Sequence, residues 1–229
     1  MASVTLTTLR SRVRELADLT GSSFVTDAAT SLDSFINSGI QKLHDVILNA
    51  AGDEPPIPIL STSFNVTISS GTGTVSLPAA FYQLFGVELT LSGSVVDLKR
   101  FTRKERNSIR SQTIYAPRRT PQYLLDGTTL RISGMDGTYS GTAYYVPVAS
   151  ELSAGGDTIN YPNGWEHFAV LYAALLVAAK EETDPSVLMR LLAMEQERIE
   201  SSVKTDTANP PRVVDVQAAF TNSDSPWEV

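Results

Sequence analysis

Few side chains in this sequence are of the types that carry out catalysis. The chain has 229 residues, no cysteine and only two histidines, His44 and His167. The lack of cysteine excludes a disulfide framework, thiolate zinc sites, iron–sulfur clusters and a cysteine nucleophile, and two histidines are too few for a histidine-rich metal site. The Gly-x-Ser-x-Gly motif of serine hydrolases is absent as well. We expect His44 to lie at the surface or pack between helices, and His167 to cap a helix or lie at an interface.

Three carboxylates, Glu181, Glu182 and Asp184, lie close together where one predicted helix follows another. Such a group could hold a divalent cation, but clusters of this kind are usually solvated, and the spacing of a calcium-binding loop is absent. The glycine-containing run 71–76 lacks the third glycine, the Lys-Ser/Thr pair and the following helix of a phosphate-binding loop. A hairpin turn explains it more simply. We therefore expect no catalytic residue, no metal site and no cofactor.

Positive charge is concentrated in one part of an otherwise acidic chain. The formal net charge is −7, with 18 basic and 25 acidic residues, so a protein that binds nucleic acid through overall basic charge is excluded. Eight basic residues fall between positions 99 and 119, with one acid among them. We call these eight the basic segment: Lys99, Arg100, Arg103, Lys104, Arg106, Arg110, Arg118 and Arg119. The rest of the chain has 10 basic and 24 acidic residues.

The basic segment has three possible roles. It is a solvated loop, a patch neutralised by acids of a neighbouring subunit, or a positive lining beside passing DNA. Only Phe101 and Tyr115 stand within it for stacking on bases, so recognition of single strands or of particular bases is not expected.

Apolar residues at helical spacing predict two helices at the start of the chain. The first spans roughly 5–19 and ends at Gly21, and the second spans roughly 27–50, with Asp27 as N-cap and Gly52 after its end. Their apolar faces consist of Leu6, Leu9, Val13 and Leu16 in the first helix, and of Leu32, Phe35, Ile36, Ile40, Leu43 and Ile47 in the second.

Two further helices are predicted near the other end, over roughly 165–182 and 185–204. The dipeptide Asp184-Pro185 starts the last helix, because Asp is a good cap and Pro fits the first helical position. Its apolar face consists of Leu188, Leu191, Leu192, Ile199 and Val203. The longest apolar run, 168–179, has 12 residues, fewer than the about 20 that span a bilayer, and the N-terminus shows no secretory signal. We expect the protein to be made in the cytoplasm, or to end up in something assembled there.

The middle of the chain, roughly 60–150, has the alternation typical of β-strands and predicts five to seven short strands. One hairpin is predicted around the glycine-rich turn 70–73, with Phe64, Val66 and Ile68 before it and Val75 and Leu77 after it. A second hairpin is predicted at Asp126-Gly127, a dipeptide favoured in tight turns.

The fold class that follows is α+β. Neither helix pair can bury its apolar face alone, so we expect one helical bundle built from the N- and C-terminal helices, with a β-rich insertion and an extended C-terminal arm. The expected divisions are 1–54, 55–160, 161–204 and 205–229. The arm has apolar residues that suit docking on a partner: Val213, Val214, Val216, Phe220 and Trp227.

Motifs in both helical ends resemble the head-to-tail adaptor (connector) proteins of tailed bacteriophages. The resemblance lies in LTTLRSRVREL at 6–16, FVTD at 24–27, FINSGIQKL at 35–43, YVP at 145–147, YPNGWE at 161–166 and EETDP at 181–185. It implies a structural virion protein at the head–tail junction, without enzymatic activity. It also implies a ring of twelve subunits beneath the portal protein, which extends the DNA channel and gives the tail its platform.

The family resemblance further implies that the C-terminal arm docks on the portal, and that the basic segment lines the channel beside packaged double-stranded DNA or faces a neighbouring subunit. An acidic channel wall is the alternative, since it would repel phosphates and let DNA slide. Two other functions stay open: another tail or collar completion protein, and a virion-associated hydrolase, for which Glu181, Glu182 and His167 would be the best candidates.

Overall fold

Helices from the two ends of the chain and strands, most of them from its middle, make up the computed structural model. It describes residues 3–18, 31–52, 60–68, 73–102, 121–133 and 138–207. The helices are α1 (Leu6–Leu16), α2 (Leu32–Ala51), α3 (Glu166–Lys180) and α4 (Ser186–Thr207), and a 3₁₀ turn at Pro162–Gly164 precedes α3. All four predicted helices are thus confirmed. In the described part of the chain, no helix is both long enough and apolar enough to cross a membrane.

Local signals set several of the helix ends. The Thr5 side chain accepts a hydrogen bond from the Thr8 amide at the start of α1. The Asp184 carboxylate accepts one from the Ser186 amide at the start of α4, as the Asp-Pro signal predicted. Gly52 ends α2 with φ +66°, a conformation that favours glycine. The expected N-cap Asp27 and the stop at Gly21 lie outside the described residues, and α2 begins at Leu32.

The helices from both ends share their buried side chains. One cluster joins Leu6 and Leu9 of α1 to Ile36 of α2 and to Val170 and Val177 of α3. A second cluster joins the later part of α2 to the start of α3 and the end of α4, through Leu43, Ile47, Trp165, Phe168, Ile199 and Val203. Most of the apolar residues that the sequence assigned to buried faces are therefore packed against one another, although the two ends of the chain are far apart in sequence.

Two polar contacts and one close approach hold α2 in this body. Arg10 of α1 forms two hydrogen bonds of 2.7 Å to the carboxylate of Asp33, which is 2% exposed. Asn37 exchanges hydrogen bonds with the backbone of Leu152. At Gly39, α2 comes so close to α3 that a Cβ atom would lie 2.5 Å from the Ala169 carbonyl oxygen.

The strands form two four-stranded sheets and one short pair. The first sheet has the order β2-β9-β4-β5, the second has the order β3-β8-β7-β6, and β1 pairs with β10. Their bounds are β1 (Val4–Thr5), β2 (Thr62–Ile68), β3 (Thr74–Ser76), β4 (Phe81–Leu91), β5 (Ser94–Asp97), β6 (Lys99–Arg100), β7 (Gln122–Asp126), β8 (Thr129–Ser133), β9 (Tyr139–Pro147) and β10 (Thr158–Ile159). The described part of 60–150 thus has eight strands, more than the five to seven predicted.

One predicted hairpin is confirmed and the other is wrong. β7 and β8 pair antiparallel across Gly127, whose φ is +61°. The hairpin expected around 70–73 does not form, because β2 pairs with β9 and β3 pairs with β8 in the other sheet. The chain crosses between sheets there, and the two sheets bury a common core that includes Val66, Leu89 and Leu130.

Candidate functional site

His44 lies between the helical body and the first sheet. Its side chain is 2% exposed, and its ring meets that of Tyr82 edge-on at 5.7 Å between centroids. Burial lowers the pKa of His44 from 6.5, although the nearby Asp45 opposes the shift. The Tyr82 hydroxyl donates a hydrogen bond of 2.5 Å to the Asp45 carboxylate, and this bond raises the Tyr82 pKa. These three side chains fasten β4 to α2. His44 is thus packed rather than at the surface, but it packs against β4 and not between helices as expected. Its partner Tyr82 lies 38 positions away and was not foreseen.

Of the other candidates for chemistry, Glu181 is half-buried and the rest are exposed. His167 is exposed in the first turn of α3. Glu182 and Asp184 are exposed between α3 and α4, where the Ser186 hydroxyl and amide bind Asp184 and lower its pKa. Asp184 therefore serves the start of a helix. Within the described residues, no three His, Asp or Glu side chains are grouped in a way that could hold a metal ion.

The basic segment starts in β6 and precedes β7 in sequence, and these two strands are neighbours at one edge of the second sheet. β6 lies parallel to β7, with Lys99 opposite Gln122. Parallel neighbours need a crossover connection of a dozen or more residues, and the chain from 101 to 121 is that connection. Phe101 anchors its start, since it is buried and donates a 2.9 Å hydrogen bond from its amide to the Tyr123 carbonyl. Pro121 is buried at the other end.

Two of the eight basic side chains fall in the described part of the chain. Lys99 and Arg100 are both exposed. The other six lie outside the described residues: Arg103, Lys104, Arg106, Arg110, Arg118 and Arg119.

A cavity of about 300 Å³ lies beside this edge and is lined by Arg100, Tyr82, Phe85 and Tyr123 among others. Burial raises the pKa of the Tyr123 hydroxyl, and the Arg100 charge opposes that shift.

A family model describes most of this chain. The model of the SU10 adaptor protein family matches residues 4–215. The chain belongs to the SU10 adaptor protein family. No curated protein matches it.

Membership in this family makes the protein a phage structural adaptor and a component of the virion. The match runs from β1 through the end of α4, so the helical ends and the β-rich middle belong to one family unit. The family points to a structural rather than an enzymatic protein. The resemblance seen in the two helical ends is confirmed at this level.

The surface of this SU10 adaptor also departs from the sequence prediction at two leucines. Leu16 of α1 is 37% exposed and Leu191 of α4 is 40% exposed, although both were expected on buried faces. Among the α4 side chains that the structure describes, Ile199 and Val203 are buried. Leu191 lies on the exposed side of α4 together with Val187. The spacing of the leucines alone did not distinguish the buried side of the helix from the exposed side.

The apolar residues proposed for the C-terminal arm are Val213, Val214, Val216, Phe220 and Trp227. All five lie outside the described residues. Helix α4 extends to Thr207, three residues beyond its expected end. The arm's role, like the domain limits, stays a prediction.

Proposed function

We propose that this SU10 adaptor forms a ring of twelve subunits beneath the portal of the DNA-filled head, extends the DNA channel and gives the tail its attachment platform. The observation that supports this most is the family match over residues 4–215. A ring needs subunits that are rigid and have two different lateral surfaces. The shared core of α1 to α4 supplies the rigidity, because helices from both ends bury their side chains together.

The basic segment would face the channel or the next subunit. Two of its eight positive charges lie in β6, and the other six fall in sequence between β6 and its neighbour β7, in an otherwise acidic protein. Charges of this kind attract phosphates without reading sequence, and the attraction weakens with salt. Either packaged DNA that passes nearby or acids of the adjacent subunit would neutralise these positive charges.

The C-terminal arm would dock on the portal. Residues 208–229 follow the end of α4, and an extended chain of 22 residues reaches up to about 75 Å. That length is enough to leave the helical body and meet another protein. The valines and aromatics of the arm would supply the buried contact area.

Particles made without this protein test the proposal directly. Electron microscopy should show heads that package DNA but lack tails and then lose the DNA. Particles with the protein restored should show a ring with this fold against the portal. Density for the ring elsewhere in the tail would instead favour a tail or collar completion protein. Normally tailed particles in its absence would overturn the proposal.

Two variants test the parts of the proposal. Removal of residues 208–229 should abolish attachment to the portal while leaving the helices folded. Reversal of Arg103, Lys104 and Arg106 to glutamate should impair assembly or DNA retention. The matched control for this charge reversal replaces each Arg by Lys and the Lys by Arg at the same three positions, which keeps the charge. If reversal and exchange behave alike, the basic segment is ordinary surface.

A further inference from the structure

The cavity of about 300 Å³ beside β6 lies between the two four-stranded sheets. On one side it is lined by residues 82–85 of β4, and on the other by Arg100 of β6 and by Tyr123 and Leu125 of β7. We call this cavity the intersheet pocket. Among the described residues that line it, none is acidic, and Arg100 contributes a positive charge.

The backbone of β4 is irregular at the intersheet pocket. Its register with β9 shifts twice, and each shift leaves one residue of β4 without a partner in β9, first Tyr82 and then Phe85. Both of these residues line the pocket. Bulges of this kind re-aim side chains, and they are over-represented next to functional sites. Two interruptions of one strand therefore contribute to a single cavity.

Two polar side chains in the pocket lack a partner. Arg100 stands opposite Tyr123 in the parallel pair of β6 and β7, and both side chains line the pocket. No described residue forms a hydrogen bond or an ion pair with the Arg100 guanidinium or with the Tyr123 hydroxyl. Tyr123 is only 6% exposed. Buried polar groups are normally hydrogen-bonded, so an unpartnered hydroxyl at this depth points to a ligand.

Both unpartnered groups require an acceptor. A guanidinium has donors only, and the Tyr123 hydroxyl keeps its proton because burial raises its pKa. A negatively charged group with two oxygens satisfies two such donors at once. The Tyr82 hydroxyl does not compete for it, because it donates to Asp45, which does not line the pocket. The side chains of Phe85 and Leu125 supply apolar walls that suit an aliphatic stem behind the anionic group.

The depth of the intersheet pocket favours a carboxylate over a DNA phosphate. Arg100 is exposed, whereas Tyr123 is buried. The phosphates of a duplex lie on a broad, stiff backbone, which can reach Arg100 at the surface but cannot enter a recess between two sheets. A glutamate or aspartate side chain has a narrow stem and can reach both donors. The chain itself is rich in such side chains, with 25 acidic residues against 18 basic ones.

We propose that the intersheet pocket binds the carboxylate of a glutamate or aspartate side chain that the next subunit of the ring presents. Arg100 pairs with this carboxylate, and the Tyr123 hydroxyl donates a second hydrogen bond to it. The identity of the partner rests on the proposed function, whereas the anion site rests on the pocket alone. Arg100 of the basic segment is thereby assigned to a protein contact rather than to DNA.

Propionate, a carboxylate on a short aliphatic stem, is the probe for the pocket. Titration of the full-length protein at constant ionic strength, followed by amide chemical shifts in NMR spectra, should give saturable shifts at Arg100, Tyr123 and Leu125. Arg100→Gln should weaken binding about tenfold or more, and Tyr123→Phe about fivefold, because each removes a hydrogen bond to a charged group. The matched control is Lys99→Gln, which removes the same charge one residue earlier, where the side chain points to the opposite face of β6. It should leave propionate binding within about twofold of the wild type.

Carbodiimide crosslinking in assembled particles identifies the partner, since this reagent joins an amine to a carboxylate in contact with it. The double variant Lys99→Arg, Arg100→Lys moves the amine of β6 to the position that lines the pocket and keeps the charge. Mass spectrometry of digested particles should show the introduced lysine joined to an aspartate or glutamate of a second copy. The wild-type chain, with its amine at Lys99 on the opposite face, should not give this crosslink.

Several results would overturn the proposal. Propionate shifts that are absent, or that Lys99→Gln weakens as much as Arg100→Gln does, would refute the pocket. Inorganic phosphate bound more than tenfold more tightly than propionate would show a phosphate site instead. A crosslink to a different virion protein, or a ring at the portal without the crosslink, would refute the next subunit as the partner and leave the proposed function standing. Protein located away from the portal would refute the function, while the propionate titration still decides the pocket.

Discussion

The close approach of α2 to α3 at Gly39 leads to a prediction opposite in sign to the one that helix propensity alone would give. Replacing glycine by alanine inside a helix normally stabilises it by about 1 kcal/mol. At Gly39 the new Cβ atom would lie 2.5 Å from the Ala169 carbonyl oxygen, whereas ordinary contact begins at 3.4 Å. The neighbour is backbone of α3 and cannot rotate away. The two helices must therefore separate, or one of them must shift.

Overpacking a core costs about 1–3 kcal/mol, and the clash with backbone places Gly39→Ala at the upper end of that range. After the gain in propensity, we expect a net loss of about 2 kcal/mol. For a chain of this size that corresponds to a melting temperature lower by about 4–8 °C. Thermal unfolding followed by far-ultraviolet circular dichroism measures the change.

The matched control is Asn49→Ala, on the exposed side of the same helix. It should raise stability by about 0.5 kcal/mol, because alanine is the better helix former and no neighbour is displaced. A Gly39→Ala protein as stable as the wild type, or more stable, would refute the close approach of α2 and α3 as the reason for glycine at this position.

Two further predictions concern polar groups in the same body. His44 has its pKa lowered by burial, so the unfolded chain takes up a proton at higher pH than the folded protein, and the free energy of unfolding should fall as pH drops below about 6.5. His44→Gln should flatten this fall in urea titrations between about pH 7.5 and pH 5, with the exposed His167→Gln as control, and an unchanged profile would contradict the burial of His44. Arg10→Met leaves the buried Asp33 carboxylate without its partner and should cost about 3 kcal/mol. Adding Asp33→Asn should restore much of this loss in a double-mutant cycle, and strictly additive losses would contradict a coupled pair.

The helices could be predicted from the sequence because their signals are local. Thr5, Gly52 and the Asp184-Pro185 pair stand within a turn of the ends that they define, and the 3.6-residue period of the apolar residues shows which sides are buried. Sheet pairing is different, because alternation identifies a strand without naming its partner. β2 looked like half of a hairpin, yet its partner β9 lies more than seventy residues further along the chain.

The surfaces could be predicted less well, also for a physical reason. An apolar side chain on a helix looks the same in sequence whether it packs on its own core or on a neighbour. Leu191 was therefore assigned to the core together with Leu192, although the structure separates them. The spacing of Val187, Leu191 and Met194 was the signal that could have revealed the second side of α4. The basic segment, in contrast, was visible as charge alone, and its two ends at β6 and β7 became clear only from the sheet.

The shared core of the helical body has a consequence for how the chain folds as it leaves the ribosome. Ile40 of α2 packs in the same cluster as Val177 of α3, which is synthesised 137 residues later. At translation rates of 5–20 residues per second, α1 and α2 wait roughly 7 to 30 s for the helices that cover them. During that interval the β-rich middle can complete both of its sheets, because all of their strands lie between β2 and β9. We therefore expect folding in the cell to begin in the middle of the chain and to finish at its ends. We also expect nascent chains that stop before Trp165 to leave the apolar faces of α1 and α2 open to chaperones and to aggregation.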